Sequence, residues 1–229
     1  MDKDWNQDYI ERGIFAQRLY PNEALLQFMG GNGLFSGKQS VKVLEVGCGS
    51  GANLWMIAKE GHDAYGIDIS EEALNIADRH LQEKWNVKAT LKLGSFTDIP
   101  FEDNYFDYVV DVVSMQHLDL STSSAAFSEV YRVLKPEGKF FSMRHGDNST
   151  SFFHGLTSDS LVDSVTVENI SDSELPLNNN GTLSFWSPGI ANIKYREAGF
   201  QLESIERTNR TYKNGKYNVE YLVIVAKKP

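Results

Sequence analysis

A single cysteine, Cys48, stands among 229 residues. No intramolecular disulfide can form, and neither a disulfide framework nor a cysteine-built zinc cluster is possible, so the cytoplasm is the expected compartment. Basic residues are scarce as well: 22 Lys and Arg against 31 Asp and Glu give a formal charge of −9. The broad cationic footprint that phosphate neutralisation requires is missing, which argues against nucleic acid and anionic membrane as partners. No 18-residue apolar run occurs, and the N-terminal MDKDWNQDYIERG carries charges where a signal peptide needs an apolar stretch, so a soluble chain is expected. Internal repeats and homopolymeric tracts are absent too.

Hydrophobic residues at 41% and charged residues at 23% are ordinary globular usage, and the length suits one large α/β domain with one core. From Asp4 to Met29 the apolar spacing is helical and is interrupted by Pro21, which predicts two helices. Val41 to Val46 reads as a buried first strand, Asn53 to Lys59 as a helix stopped by Gly61, and Asp63 to Asp68 as a second strand. Ser70 is placed as the N-cap of a helix whose core stripe is Leu74, Ala77, Leu81 and Trp85, with Glu71 and Glu72 complementing its dipole. Lys88 to Leu93 and Phe106 to Val113 read as buried strands. The helix carrying Ala126, Phe127, Val130, Val133 and Leu134 ends at Pro136 and Gly138 before a fifth strand, Lys139 to Arg144.

Residues 146–186 break this rhythm. They hold Asp147, Asp159, Asp163, Glu168, Asp172 and Glu174 without one Lys or Arg, and read as an insertion. Ser187-Pro188 then starts a helix that closes at Gly199. A strand near Phe200 to Arg207, the turn Lys213-Asn214-Gly215-Lys216 and a final strand, Tyr217 to Ala226, complete the chain. The expected fold is α/β: a Rossmann-like, doubly wound, seven-stranded sheet, mainly parallel with an antiparallel C-terminal strand. Residues 1–229 form one domain, with a helical cap (1–40), a cofactor-binding core (41–145), a lid insertion (146–186) and a C-terminal helix and hairpin (187–229).

Val43-Leu44-Glu45-Val46-Gly47-Cys48-Gly49-Ser50-Gly51 joins a strand to a helix through glycines that clear side chains from where a nucleotide-like ligand approaches the backbone. Asp68 ends the next strand, where a doubly wound fold offers a carboxylate to two ribose hydroxyls. Gly47-x-Gly49-x-x-Ala52 alone also fits a dinucleotide fingerprint, so a dehydrogenase is a competing reading of the loop.

With the segments that follow, the sequence resembles the class I S-adenosylmethionine-dependent methyltransferases of the type 11 group. Val43 to Gly51 is similar to that family's first motif, Asp68-Ile69-Ser70 to its ribose-binding segment, and Gly94 to Phe101 to the segment lying over adenine. Phe106 to Val110 resembles its fourth strand, and Gln116-His117-Leu118 and Arg132 to Gly138 complete the series across roughly residues 41–145. Ser95 stands where the family usually has an acidic residue, and Glu137 where glycine is common. The resemblance implies S-adenosylmethionine as cofactor, no metal, and methyl transfer to oxygen or nitrogen of a small molecule. It implies cofactor contacts from Glu45, Gly47, Cys48, Gly49, Gly51, Asp68, Ile69, Ser95, Phe96, Asp111 and Val112. A silent cofactor-binding or sensing module is the alternative function.

His117 lies just beyond the fourth strand and His145 just after the fifth, at the ligand-binding edge, so either is a candidate general base. His117 could instead pack over the methionine arm of the cofactor, and His145 could be a solvated loop residue. Asp111 could reach the cofactor's ammonium group or cap a helix. Trp5 and Tyr9 share a helix face that either closes over the cofactor or caps the core. The acidic insertion, lacking basic residues, suits a neutral or cationic acceptor.

Overall fold

The computed structural model describes residues 3–35, 37, 39–158 and 160–229. Its elements run in the order α1 (Trp5–Arg12), a 3-10 turn (Gly13–Ala16), α2 (Glu23–Gly31), β1 (Lys42–Val46), α3 (Leu54–Lys59), β2 (Asp63–Asp68), α4 (Glu71–Glu83), β3 (Thr90–Leu93) and β4 (Phe106–Val112). A second 3-10 turn (Met115–His117) follows, then α5 (Leu120–Val133), β5 (Leu134–His145), α6 (Thr150–Leu156), β6 (Thr166–Val167), β7 (Leu183–Ser184), α7 (Pro188–Glu197), β8 (Gln201–Tyr212) and β9 (Tyr217–Lys227).

Seven strands form one sheet in the order β3-β2-β1-β4-β5-β9-β8. The pairs from β3 to β5 are parallel, and β9 runs against both β5 and β8. The order reverses between β1 and β4, and there the loop after β1 and the end of β4 diverge to leave a crevice at the carboxyl edge. One apolar layer packs on each face. Phe106, Phe127, Phe140, Trp186 and Tyr195 anchor one, while Leu25, Leu54, Val110 and Phe141 anchor the other. No helix among the described residues is long and apolar enough to cross a membrane.

Local chemistry places several boundaries where the sequence put them. Asp4 caps α1, Ser70 caps α4 by accepting from Ala73 N at 3.0 Å, and Ser187 caps α7 with Pro188 behind it. Four expectations change. β3 is an edge strand with Leu93 59% exposed, not a buried one, because no strand among the described residues pairs with its outer side. Trp85 lies past the end of α4 and stacks on Trp55 at 3.8 Å instead of continuing the helical stripe.

The fifth strand begins at Leu134, well before Lys139. Its register against β4 shifts between Phe106 and Tyr108, and this irregular stretch accommodates Pro136, which has no amide to donate. Glu137 there has φ +69, a left-handed conformation that explains why glycine is common at this point of the family pattern. Finally, β8 runs to Tyr212, five residues beyond the expected end at Arg207, because every added residue pairs with β9.

Residues 146–186 fold on a core of their own, in which Phe152, Val167, Ile170, Leu175, Leu183 and Phe185 pack together. The segment leaves and rejoins the sheet at one point: Trp186 N donates to His145 O at 3.0 Å and Asp147 N to Trp186 O at 3.1 Å. Its acids are turned to structural tasks. Asp163 accepts from Leu120 N at the start of α5, Glu174 pairs with Lys213, and Asp147 lies 3.5 Å from Arg207. Asp159 falls outside the described residues.

Candidate active site

The crevice is a cavity of about 470 Å³ between the glycine loop, the end of β4, the N-terminal cap and the insertion. At one end Gly47 alone of the glycine loop lines the cavity, and Gly49 and Gly51 stand behind it. Gly47 has φ +67 and a side chain there would strike Ser114, whose Oγ donates to Gly47 O at 3.0 Å. Gly49 has φ +51, and the space a Cβ would take is held by the Tyr9 hydroxyl and the Gln17 amide. Its N–H donates to Asp68 Oδ2 at 2.8 Å, while Asp68 Oδ1 accepts from Ser70 N at 2.9 Å. The carboxylate is thereby fixed at the cavity wall, and burial raises its pKa against these two amide bonds.

Ile69, Ser95, Phe96 and Val112 line the cavity beside Asp68. Ser95 Oγ lies 3.0 Å from Thr97 Oγ1. Gly51, at φ +80, faces the Ala77 side chain of α4 and serves the packing of the loop on that helix. Cys48 turns its thiol into the core toward Gly66, burial pushes that thiol well up, and the residue does not line the cavity. Gln17 Nε2 donates to Cys48 O at 3.3 Å and ties the cap to the loop.

Beneath the loop lies Glu45, completely enclosed. Asn53 Nδ2 donates to its Oε1, and Oε2 has no hydrogen-bond partner. Burial, only partly offset by Asn53 and by Arg18, pushes its pKa up to about 8. Arg18 enters from the cap to line the cavity, its Nε unpartnered and its own pKa lowered by burial. Asp111 takes the capping role: Oδ1 accepts from Ser114 N at 2.9 Å and Met115 N at 3.0 Å, and Oδ2 from Ser142 Oγ at 2.8 Å. It is buried and does not line the cavity. Next to this cap Val113 adopts φ +59, strained for a β-branched residue, and sits in the cavity wall.

The other end of the cavity is made of side chains. His117 Nδ1 lies 2.9 Å from Thr182 O, and because a carbonyl only accepts, this nitrogen carries the proton in that contact. Trp5 meets the same ring edge-on at 4.7 Å. His145 is 2% exposed, with Phe185 stacked on it and Tyr221 tilted against it, both at 5.3 Å. Burial, with His117 and Arg144 adding to it, holds its pKa well below the ordinary imidazole range. Both histidines line the cavity, as do Trp5 and Tyr9. Tyr9 also belongs to a small apolar cluster with Ala73 and Ile76, so it closes the site and packs the cap at once.

Gln17, Arg18, Gln116, Thr182 and Tyr221, none of them a candidate from sequence, also line this space. Arg18, a lone basic residue beside Gln17 in an otherwise apolar stretch, and Gln116, beside His117, carried local hints. Thr182 and Tyr221 arrive through tertiary folding and carried none. None of the insertion's described carboxylates lines the cavity; its contribution is Leu177, Asn180, Thr182 and Leu183.

A strand-end carboxylate clamped to a glycine loop, beside a cavity that two histidines also line, is the ligand-crevice arrangement of a doubly wound α/β fold. Residues 43–138 match the family model of a methyltransferase domain. A demethylmenaquinone methyltransferase of Symbiobacterium thermophilum is 36% identical over 103 residues, 43% of this chain and 40% of that protein. A sterol 24-C-methyltransferase of Gibberella zeae is 27% identical over 201 residues, 76% of this chain and 51% of that protein. The solved structure of an S-adenosylmethionine-dependent methyltransferase from Methanosarcina mazei has the same fold, with a TM-score of 0.73 at 20% identity over 92% of this chain and 99% of that one. The chain spans about half or less of the length of the curated relatives it matches. Residues 43–138 thus resemble a methyltransferase domain, and the chain shares the fold of solved S-adenosylmethionine-dependent methyltransferases.

Proposed function

We propose that the chain transfers a methyl group from S-adenosylmethionine to oxygen or nitrogen of a small neutral molecule. The observation that carries this reading is the single continuous cavity with Asp68 and the glycine loop at one end and His117 and His145 at the other. The residues present fit the cofactor. Asp68 offers a fixed acceptor to a ribose, Phe96 and Ile69 offer apolar flanks to an adenine, and Arg18, with its unpartnered Nε, suits the carboxylate of the amino-acid end.

S-adenosylmethionine, when bound, supplies a methyl group on a cationic sulfur, whose bond electrons stay on sulfur as the acceptor's lone pair takes the carbon. The protein then has three tasks: to position the acceptor, to exclude water and to receive a proton where the acceptor carries one. We assign the proton to His117, because the proton on Nδ1 toward Thr182 O leaves Nε2 as the basic nitrogen of the neutral ring. His145, held neutral by burial, is the poorer base and the better hydrogen-bonding wall.

The lining offers a cationic acceptor little, and its Lys3 is already engaged by Asp8 at 3.3 Å. Among the described residues Asp68 is its one carboxylate, at the cofactor end, so a cationic acceptor would find no counter-charge beside the histidines. A single-turnover assay with methyl-labelled cofactor over a library of neutral, cationic and anionic metabolites tests the proposal. Label is expected on neutral acceptors. Cofactor binding without transfer to any of them would favour a sensing module, and a preference for anions would contradict the reading of the lining.

A further inference from the structure

Gln116 makes no appearance in the roles above, yet it is 4% exposed, lines the cavity and is clamped from two sides. Its backbone carbonyl accepts from Ser184 Oγ at 3.0 Å, and that hydroxyl in turn accepts from the buried Arg144 at 2.8 Å. Its side-chain Oε1 accepts from His145 N at 3.2 Å. With the oxygen end committed to the β5 backbone, the Nε2 end is the part of the amide left to the cavity, and it offers donors only.

His145 adds a second donor beside it. Its Nδ1 is sealed in the protein without a partner, whereas Nε2 is not among the sealed atoms and belongs to the part of the ring that lines the cavity. A neutral imidazole carries one proton. A buried bare lone pair is tolerated more readily than an orphaned N–H, so the proton sits on Nε2 and points to the ligand space. Phe185 and Tyr221, on either side of the ring, hold that direction. The two residues face the same cavity, and a ligand oxygen brought to it can accept from both N–H groups in place of water. Trp5, His117, His145 and Tyr221 give this part of the cavity aromatic walls, which suit planar ligands.

The geometry points to an acceptor of one chemical class: a small planar hydroxy-carbonyl compound, whose carbonyl-type oxygen is held by Gln116 Nε2 and His145 Nε2 while its hydroxyl is the group methylated. This deepens the proposed function and rests on it. Gln116 is the specificity-determining residue, since its donors reward the carbonyl and reject an alkyl group of the same shape.

Calorimetry on the full chain saturated with S-adenosylhomocysteine tests the class, with 2- and 3-hydroxyacetophenone as probes against 2- and 3-ethylphenol, which keep the shape and the hydroxyl but lack the carbonyl. At least one hydroxyacetophenone should bind about tenfold or more tighter than its ethylphenol, in line with the cost of two unpaired donors. Gln116→Met should erase most of that preference, and Gln116→Glu, which keeps an oxygen for His145 N but loses the donors, should erase or reverse it. S-adenosylhomocysteine affinity measured on each variant reports whether the fold survives, and a preference lost together with that affinity in both variants would count against a specific role for Gln116. Equal binding of the paired probes to the parent, or a preference that persists in both variants, would overturn the inference while leaving the cofactor reading intact. Failure of the parent to bind S-adenosylhomocysteine would overturn both.

Discussion

At the cofactor end of the cavity Gly47 and Asp68 stand in the wall on a locally built support, with Gly47 and Gly49 at positive φ and the Gly49 amide on Asp68, 19 residues later. At the acceptor end the wall is side chains drawn from Trp5 to Tyr221, from the cap, the 3-10 turn after β4, the end of β5, the insertion and β9. The first end is specified locally, by residues that leave few alternatives for the chain. The second exists only when distant segments are packed, so it can vary without disturbing the first.

The sharpest way to separate the two ends is His117→Ala. Methyl transfer in single turnover should fall by roughly 10²–10⁴-fold, as loss of a positioned base does, while calorimetry finds S-adenosylhomocysteine affinity within a few-fold of the parent. Equal losses in both would mean that the two ends are one unit.

Next in size is Leu175→Ala, a cavity in the separate core of the insertion. About 2–5 kcal/mol of local packing is at stake, and the insertion should become open to limited proteolysis within residues 146–186. Cofactor affinity should persist while transfer is lost. Cooperative unfolding of the whole chain in this variant would show that the insertion is not a separable part.

A smaller effect, with a pH signature, belongs to Glu45. Burial raises its pKa from 4.5 to about 8, so between these values the folded protein keeps a proton that the unfolded chain has released. Stability is greatest below the lower value and falls as pH rises through the window. Glu45→Gln removes the fall, and its advantage over the parent in urea unfolding should widen from pH 5 to pH 9 by something on the order of a few kcal/mol. A gap independent of pH would contradict a buried, proton-holding Glu45.

The same contrast explains what was legible in the sequence. The glycine run, Asp68 at a strand end and Ser70 as a cap are local signals, and the structure places all three together. The exposed face of β3 was not legible, because its composition does not say that no strand among the described residues pairs with its outer side. Leu134 to Gly138 read as the end of a helix, since the Phe106–Leu134 pairing that makes them strand is a tertiary fact. Asp111 looked the same in sequence whether it faced a ligand or capped the turn at Ser114 and Met115; only the direction of its carboxylate decides. The acids of the insertion suggested a charged lid, but their partners Leu120 N, Lys213 and Arg207 come from elsewhere in the chain. Gln116 and Tyr221 joined the site through packing that no periodicity records.

The central claim is that the loop at Gly47–Gly51 and Asp68 hold S-adenosylmethionine through its ribose. Titration calorimetry with S-adenosylhomocysteine on the parent and Asp68→Ala tests it most directly. The account predicts binding on the micromolar scale, weakened roughly ten- to hundredfold in the variant as charge-assisted bonds worth about 1–3 kcal/mol are lost. Unchanged affinity in Asp68→Ala, or no binding to the parent, would contradict it.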